Sequence, residues 1–233
     1  MPALVLDDAP VFETVRFTAG RYTLEGTLAY PEEAAPIGAV VLAGPHPLLG
    51  GDMDNNVVRG LAEGLAARRV VTLRFNYRGV GGSEGAPIDA AAHLARFWET
   101  SHVPEEKEFA SDLADALAFL QAAGRSLPAA LLGYSFGCTM LPQAGAASGV
   151  PLVLVAPTVG VHDYRAYDDV KNPLLVVASD DDFAADASRL REWYDWLSAP
   201  KRLIQTRLDD HFFRGHEDWL SETVFTFLQE QWG

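Results

Sequence analysis

The feature that most constrains this chain is the octapeptide LLGYSFGC at residues 131–138. An apolar run at residues 129–132 meets the pattern G-x-S-x-G and passes at once into a stretch compatible with a helix. Strand, sharp turn and helix therefore follow one another with no room for a loop. Such a turn holds a serine hydroxyl on a strained corner at the end of a sheet, where a base can reach it. The pattern predicts a nucleophile elbow with Ser135 at its tip.

The two glycines of the motif have a steric role. At Gly133 and Gly137 we expect the strand and helix backbones to approach so closely that a Cβ atom would clash. G-x-S-x-G alone also occurs by chance in many unrelated proteins, so the pentapeptide leaves function open until the rest of the chain is considered.

Length and charge limit the remaining possibilities. A chain of 233 residues with 48% hydrophobic content can bury a sizeable core, and we predict a single domain over residues 1–233. The formal net charge of −14 argues against binding to nucleic acid or to an anionic membrane, because phosphate binding needs clustered Lys and Arg. A small molecule is therefore the expected partner.

The N-terminal sequence MPALVLDDAP lacks the basic residues and long apolar core of a signal peptide, and no stretch approaches the length of a membrane span. We therefore expect a cytoplasmic protein. Cys138 is the only cysteine, which excludes an intrachain disulfide and a C-x-x-C metal pattern.

Apolar runs and amphipathic segments alternate along the chain. Residues 11–18 and 22–30 predict an antiparallel hairpin at a sheet edge. The other predicted strands are 37–43, 70–75, 129–132, 151–156, 173–178 and 203–208, and the predicted helices include 55–68, 105–123, one marked by Leu190, Trp193 and Leu197, and one at the C-terminus. This alternation favours an α/β fold with a mainly parallel sheet, helices on both faces and ligands at the carboxyl ends of the strands.

A glycine-rich loop at residues 76–85 suggests dinucleotide binding at first sight. The G-x-G-x-x-G spacing fails, however, because Glu84 occupies the third glycine position and no helix opens there. We reject that interpretation and expect no cofactor.

An activated serine needs an imidazole base and a carboxylate that orients the base. His211 follows the last predicted strand, and His216 is the alternative, although it falls at the start of the final helix. The acidic run at residues 180–182 follows the strand at 173–178, which places a carboxylate at the same edge of the sheet. Three further histidines have polar surroundings typical of solvated surface positions: His93, His102 and His162.

The order Ser, Asp, His resembles that of the α/β-hydrolase family, and the resemblance covers roughly residues 10–232. It is strongest to small esterase-like or dipeptidyl-peptidase-like members, which share four motifs with this chain. Here these motifs are H-P-x-x-G-G at 46–51, N-[FY]-R-G-x-G-x-S-x-G at 76–85, G-Y-S-F-G at 133–137 and D-H-F-F at 210–213. The resemblance implies an α/β-hydrolase fold with an eight-stranded sheet, an antiparallel second strand and no large cap domain. It also implies Ser135 as nucleophile and His211 as base.

The resemblance implies further site residues. The family pattern G-x-x-D stands here as Ser179 followed by three aspartates, so counting places Asp182 at the acid position, with Asp181 as the alternative. The oxyanion hole is expected between the N–H of Phe136 and an N–H of the loop at His46. Because Pro47 has no N–H, Leu48 is the predicted second donor. No metal site is predicted.

The segment at residues 86–104 is longer than the corresponding connection in the small family members that the chain resembles. It predicts an insertion with a short helix at residues 89–99. Leu94, Phe97 and Trp98 share one face of that helix. A small lid over the active-site mouth is the favoured interpretation, and the alternatives are a homodimer interface and packing on the body of the protein.

Together these features predict a serine hydrolase that cleaves a carboxylic ester of a small acyl substrate through an acyl-enzyme intermediate. The alternatives are a dipeptidyl-peptidase-like or thioester hydrolase and, in another class, a non-catalytic binding module with the same fold. The predicted substrate-pocket residues are His46, Tyr134, Leu94, Phe97, Trp98 and Phe212.

Overall fold

The apolar runs of the chain form strands and its amphipathic segments form helices. The computed structural model describes residues 9–100, 102, 106–124, 126–145, 147–180, 182–207 and 210–233. Its strands are β1 (Pro10–Ala19), β2 (Tyr22–Pro31), β3 (Gly38–Ala43), β4 (Val70–Phe75), β5 (Ala129–Tyr134), β6 (Leu152–Val155), β7 (Leu174–Ser179) and β8 (Lys201–Thr206). Its α-helices are α1 (Asn56–Ala66), α2 (Ala90–Thr100), α3 (Glu106–Ala123), α4 (Leu141–Gly145), α5 (Ala187–Trp196) and α6 (Glu217–Trp232), and 3₁₀ helices form at Pro47–Leu49, Ser135–Met140 and Arg165–Tyr167.

Within the described residues, eight strands form one sheet in the order β1-β2-β4-β3-β5-β6-β7-β8. Strand β2 pairs antiparallel with both β1 and β4. The pairs from β4 through β8 are all parallel. This topology confirms the expected eight-stranded, mostly parallel sheet with its second strand antiparallel.

The two faces of the sheet are covered by different helices because successive strand residues point in opposite directions. On β3, Val40 and Leu42 belong to a buried cluster that includes residues of α1 and α6, whereas Val41 belongs to a second cluster that includes residues of α3, α4 and α5. Such strands are buried on both sides, which is why they are continuous apolar runs in the sequence.

Several predicted boundaries differ from the structure. Strand β8 pairs from Lys201 to Thr206 with β7, so it begins and ends two residues earlier than predicted; the predicted end, Leu208, lies outside the described residues. Leu197 is the extended residue that ends α5. After the elbow, the α-helix α4 begins only at Leu141. Pro142 fits in its first turn, because the N–H groups of a first turn have no partner within the helix.

The predicted insertion contains α2 between β4 and α3, one residue later than the predicted helix. The expected insertion residues Ser101, Val103 and Pro104 lie outside the described part of the chain. Of the helices that the structure describes, none has both the length and the apolar character that a membrane span requires.

Candidate active site

Ser135 occupies a strained turn directly after β5. Its φ is +55°, a left-handed conformation that residues with a side chain rarely adopt. A Cβ atom on Gly133 would lie 2.6 Å from the Cys138 nitrogen, and one on Gly137 would lie 2.2 Å from the Ala43 carbonyl oxygen. Both distances are far below van der Waals contact, so the predicted close approach of the backbones at the two glycines is confirmed. This packing holds the strained turn in place.

Three buried side chains form a hydrogen-bonded row at this turn. The Ser135 Oγ lies 3.1 Å from Nε2 of His211. Nδ1 of the same ring lies 2.8 Å from Oδ1 and 2.7 Å from Oδ2 of Asp182. This arrangement fits a neutral imidazole that donates its Nδ1–H to the carboxylate and accepts the serine proton at Nε2.

The topology of the sheet explains why residues so distant in sequence meet. Ser135 follows β5, Asp182 follows β7 and His211 follows β8. These strands are parallel and belong to one run of neighbours, so their carboxyl ends lie at the same edge of the sheet. The structure therefore brings together the serine, the acid and the base that the sequence singled out.

Of the described residues of the acidic turn, Asp182 is the one that contacts His211. One of its oxygens also accepts the N–H of Ala184 at 2.7 Å, which orients the carboxylate. Asp180 is exposed, and its N–H continues the pairing of β7 with Thr206. Asp181, the alternative acid, lies outside the described residues.

The loop that carries His211 is shaped by its neighbours. Asp210 accepts the N–H groups of Phe212 and Arg214, and although burial raises the pKa of this carboxyl, these hydrogen bonds outweigh burial and lower it. Phe213, fully buried at φ +50°, anchors the loop in the core. The Tyr134 hydroxyl donates to the His211 carbonyl at 3.3 Å, and burial raises the pKa of this phenol, so it stays a donor.

The loop after β3 differs from the prediction in one respect. The Leu48 N–H, predicted as an oxyanion donor, instead donates to Nδ1 of the His46 ring at 3.0 Å. The N–H groups of Leu49, Gly50 and Gly51 also donate within the loop. The assignment of Leu48 is therefore wrong, because a short 3₁₀ turn uses its N–H internally. The described residues offer no acceptor for the His46 N–H.

A carboxylate that the sequence analysis missed holds the His46 ring. Nε2 of His46 lies 3.0 Å from Oε1 of Glu106, at the start of α3. Since Nδ1 accepts from Leu48, the ring proton must be on Nε2 and is donated to Glu106. The ring also packs between Phe136 and Phe97 at centroid distances of 4.5 and 4.8 Å. No pattern in the sequence connects Glu106 with His46, because the contact depends on how α3 lies against the loop.

The loop at residues 76–85, which carries the N-[FY]-R-G motif, is held in place by hydrogen bonds to the surrounding scaffold. Asn76 accepts the Met53 N–H at 2.8 Å and donates to Glu25 at 2.6 Å. The Ser83 hydroxyl donates to the Asn76 carbonyl at 2.7 Å. The glycines of this loop therefore serve a tight turn in the scaffold.

A cavity of about 340 Å³ opens beside Ser135. Of the six predicted pocket residues, His46, Tyr134, Phe97, Trp98 and Phe212 line it. Leu94 is not among the lining residues and is 39% exposed, so its assignment to the pocket is wrong. The reason is that α2 turns Phe97 inward onto Leu48 and His46, which leaves Leu94, one turn earlier, at the surface.

The rim of this cavity is apolar and exposed. Trp98 is 70% exposed and Phe183 is 78% exposed, and Leu49 and Val161 contribute further apolar surface. The Phe183 ring lies 5.0 Å from the His211 ring. An apolar ligand would therefore find contacts on both sides of Ser135.

One of the other histidines has a location that the sequence analysis did not foresee. His162, expected at the surface, lines the cavity, and its Nδ1 lies 2.9 Å from the Thr158 hydroxyl. His216, the alternative base, is exposed at the start of α6 and does not line the cavity.

Comparison with known proteins gives concordant results. A family model described as alpha/beta hydrolase family matches residues 26–231. An alpha-beta serine hydrolase homologue from Coxiella burnetii superposes with a TM-score of 0.77 at 25% identity, covering 93% of this chain and 97% of that chain. A serine hydrolase without a lid from Xanthomonas campestris has a TM-score of 0.79 at 23% identity, with 94% of each chain covered, and this likeness shows the fold alone. An uncharacterized protein of Rickettsia prowazekii is 27% identical over 213 residues, which span 83% of this chain and 79% of that protein.

Proposed function

Because the chain belongs to the alpha/beta hydrolase family, we propose that it is a serine hydrolase that cleaves a carboxylic ester of a small apolar substrate through an acyl-enzyme intermediate. The observation that carries this proposal is the row of hydrogen bonds from Ser135 through His211 to Asp182. Such a row is what converts a weakly nucleophilic hydroxyl into a reactive one.

In the first step, the Ser135 Oγ attacks the ester carbonyl carbon while its proton passes to Nε2 of His211, 3.1 Å away. The resulting imidazolium is stabilised by Asp182, which is held 2.7 Å from Nδ1. His211 then gives the proton to the alcohol oxygen as the carbon–oxygen bond breaks, and the acyl group remains on Ser135. The same imidazole then takes a proton from a water molecule, which attacks the acyl-enzyme. His211 gives this proton to the Ser135 Oγ as the acyl bond breaks and the carboxylic acid is released.

Negative charge develops on the carbonyl oxygen during both attacks, and backbone donors must meet it. The N–H of Phe136 directly follows the nucleophile, and the His46 N–H lies in the loop that packs on the Phe136 ring. We assign these two groups to the oxyanion hole. The hydrogen bond between the His46 ring and Glu106 keeps the loop in the required position.

The cavity supports an apolar acyl or alcohol group. Its lining is dominated by aromatic and aliphatic side chains, with Phe97, Trp98 and Phe212 around Ser135. The volume of about 340 Å³ is at the low end of ordinary small-molecule sites. Trp98, in α2, would close over the bound acyl chain in the manner of a small lid.

The proposal is tested with a fluorophosphonate probe and a panel of p-nitrophenyl esters, aminoacyl amides and acyl thioesters of graded chain length. The probe should add one label per chain, detected by intact mass, and Ser135→Ala should abolish both labelling and turnover. Asp182→Asn should lower kcat by about 10⁴-fold, because His211 loses the acceptor that sets its tautomer.

Asp180→Asn is the matched control, since Asp180 is exposed and contacts no member of the row, and it should leave kcat unchanged. Asp181→Asn tests the alternative acid, and a loss of activity confined to that variant would reassign the acid. A folded wild-type protein that takes up no probe and hydrolyses no member of the panel would instead indicate a binding module. A preference for amides or thioesters over esters would change the proposed substrate class but leave the assignment of Ser135 as nucleophile unchanged.

A further inference from the structure

Two histidines and a glutamate lie close together, and the glutamate contacts the His46 ring. Glu106 is the first residue of α3, His102 precedes it by four residues, and Nδ1 of His102 lies 3.0 Å from Oε2 of Glu106. His162 comes from the segment after β6, and its ring lies 5.3 Å from that of His102. One potential ligand atom from each of the three residues lies within 4.8 Å of the other two.

The immediate neighbours of this cluster orient its side chains. Oε1 of Glu106 accepts from the His46 ring, and Nδ1 of His162 lies 2.9 Å from the Thr158 hydroxyl. Metal-binding histidines and carboxylates are usually held in this way by a second partner, which sets the tautomer and the direction of the ligand atom. Side chains whose partners already orient them lose less entropy when they bind an ion.

A separate cavity of about 230 Å³ adjoins the cluster, and His102, Glu106 and His162 all line it. Water molecules or a small anion can therefore complete a coordination shell. His162 and Phe136 line this cavity and the one beside Ser135, so the cluster forms part of the wall between the two.

We propose that His102, Glu106 and His162 form a binding site for a divalent transition-metal ion such as Zn²⁺. Imidazole nitrogen and carboxylate oxygen are common zinc ligands, and three protein ligands leave one position for water. Ligand atoms around a tetrahedral zinc ion are roughly 3.4 Å apart, because each bond is about 2.0–2.2 Å long. The three atoms must therefore converge by only about 1.5 Å, within the reach of side-chain rotation.

The ion would join two elements that are remote in sequence. Glu106 is the first residue of α3 and His102 precedes it in the chain, whereas His162 belongs to the segment after β6 and lines the substrate cavity. Binding would link this segment to Glu106 in α3 and replace the hydrogen bond between His102 and Glu106 with bonds to the ion. The metal site is independent of the hydrolase activity proposed above, which needs no metal.

The experiment uses the full chain, stripped with EDTA and dialysed, and titrates it with ZnCl₂ in a calorimeter. We expect one ion per chain and, at 100 times Kd, a rise in Tm of about 5–10 °C. Substitution of Co²⁺ should give the visible absorption of a four-coordinate site. His102→Ala and His162→Ala should each weaken binding at least tenfold and abolish the shift in Tm.

His216→Ala is the matched control, because His216 is an exposed histidine outside the cluster, and it should bind Zn²⁺ like the wild type. The metal-free Tm of each variant shows whether it folds, and His102, which is exposed, should tolerate replacement without loss of stability. The absence of stoichiometric binding would overturn the proposal. Equal binding by wild type, His102→Ala and His162→Ala would also overturn it, since the ion would then lie elsewhere, for example at His211.

Discussion

Gly137→Ala tests whether the tight packing at the elbow positions the catalytic groups. The added Cβ would lie 2.2 Å from the Ala43 carbonyl oxygen and 2.8 Å from the Gly44 oxygen. Ordinary van der Waals contact begins at 3.4 Å, so the turn and the end of β3 must separate by about 1 Å. Both neighbours are backbone atoms and cannot rotate away. The loop with His46 begins at this point, so the displacement moves one oxyanion donor relative to Ser135.

Two magnitudes follow from this displacement. Overpacking of this kind costs about 1–3 kcal/mol of folding free energy, which lowers the Tm of a chain of this size by about 2–12 °C. A misplacement of about 1 Å in the groups around a reacting carbonyl costs about 10²-fold in rate. The loss should appear in kcat, because the oxyanion donors act mainly in the transition state.

The assay is hydrolysis of the best p-nitrophenyl ester of the panel, combined with thermal unfolding. Gly149→Ala is the matched control: Gly149 has φ +67° and no atom within 4 Å of an added Cβ, and it precedes β6 at the opposite edge of the sheet. It should lose about 1–2 kcal/mol through backbone strain and keep its kcat. A Gly137→Ala variant with wild-type kcat and Tm would refute the reasoning, as would an equal loss of kcat in Gly149→Ala.

Two further predictions concern the rim and the scaffold. Trp98→Ala should raise KM for long-chain esters more than for acetate esters without lowering Tm, because Trp98 lines the cavity and is 70% exposed. The control Trp196→Ala, at a residue that is 76% exposed on α5, should change neither KM nor Tm. Equal effects of Trp98→Ala on all esters would contradict a lid. Arg78→Met should cost about 3–5 kcal/mol in urea unfolding at pH 7, because the fully buried Asp112 loses its ion pair. Burial already raises the pKa of Asp112, and Arg78 opposes this rise, so loss of Arg78 should raise the pKa further. Asp112 then binds a proton more readily in the folded than in the unfolded state. The loss of stability relative to the wild type should therefore become smaller as pH falls. A variant as stable as the exposed control Arg191→Met, or a deficit independent of pH, would contradict this account.

Much of the fold follows from short-range patterns. The apolar runs that became β3, β6 and β7 are buried on both faces, and burial on both faces is what produces a continuous run. The predicted bounds of the last strand are two residues too late. Strand β8 is a half-buried edge strand, and its position along the chain is set by its pairing with β7. An apolar pattern specifies such a strand only weakly.

The sequence by itself determined the α/β-hydrolase fold and singled out Ser135, Asp182 and His211, since each follows a recognisable strand and parallel strands end at one edge of the sheet. Only the tertiary structure decided how side chains from different elements meet there. It turned the Leu48 N–H onto the His46 ring and set Glu106 against the other ring nitrogen. It directed Phe97 into the cavity and left Leu94 outside, and it brought His162 to His102. These contacts depend on the rotation of a helix and the path of a loop to within about an ångström, which packing of the whole core determines and no local pattern encodes.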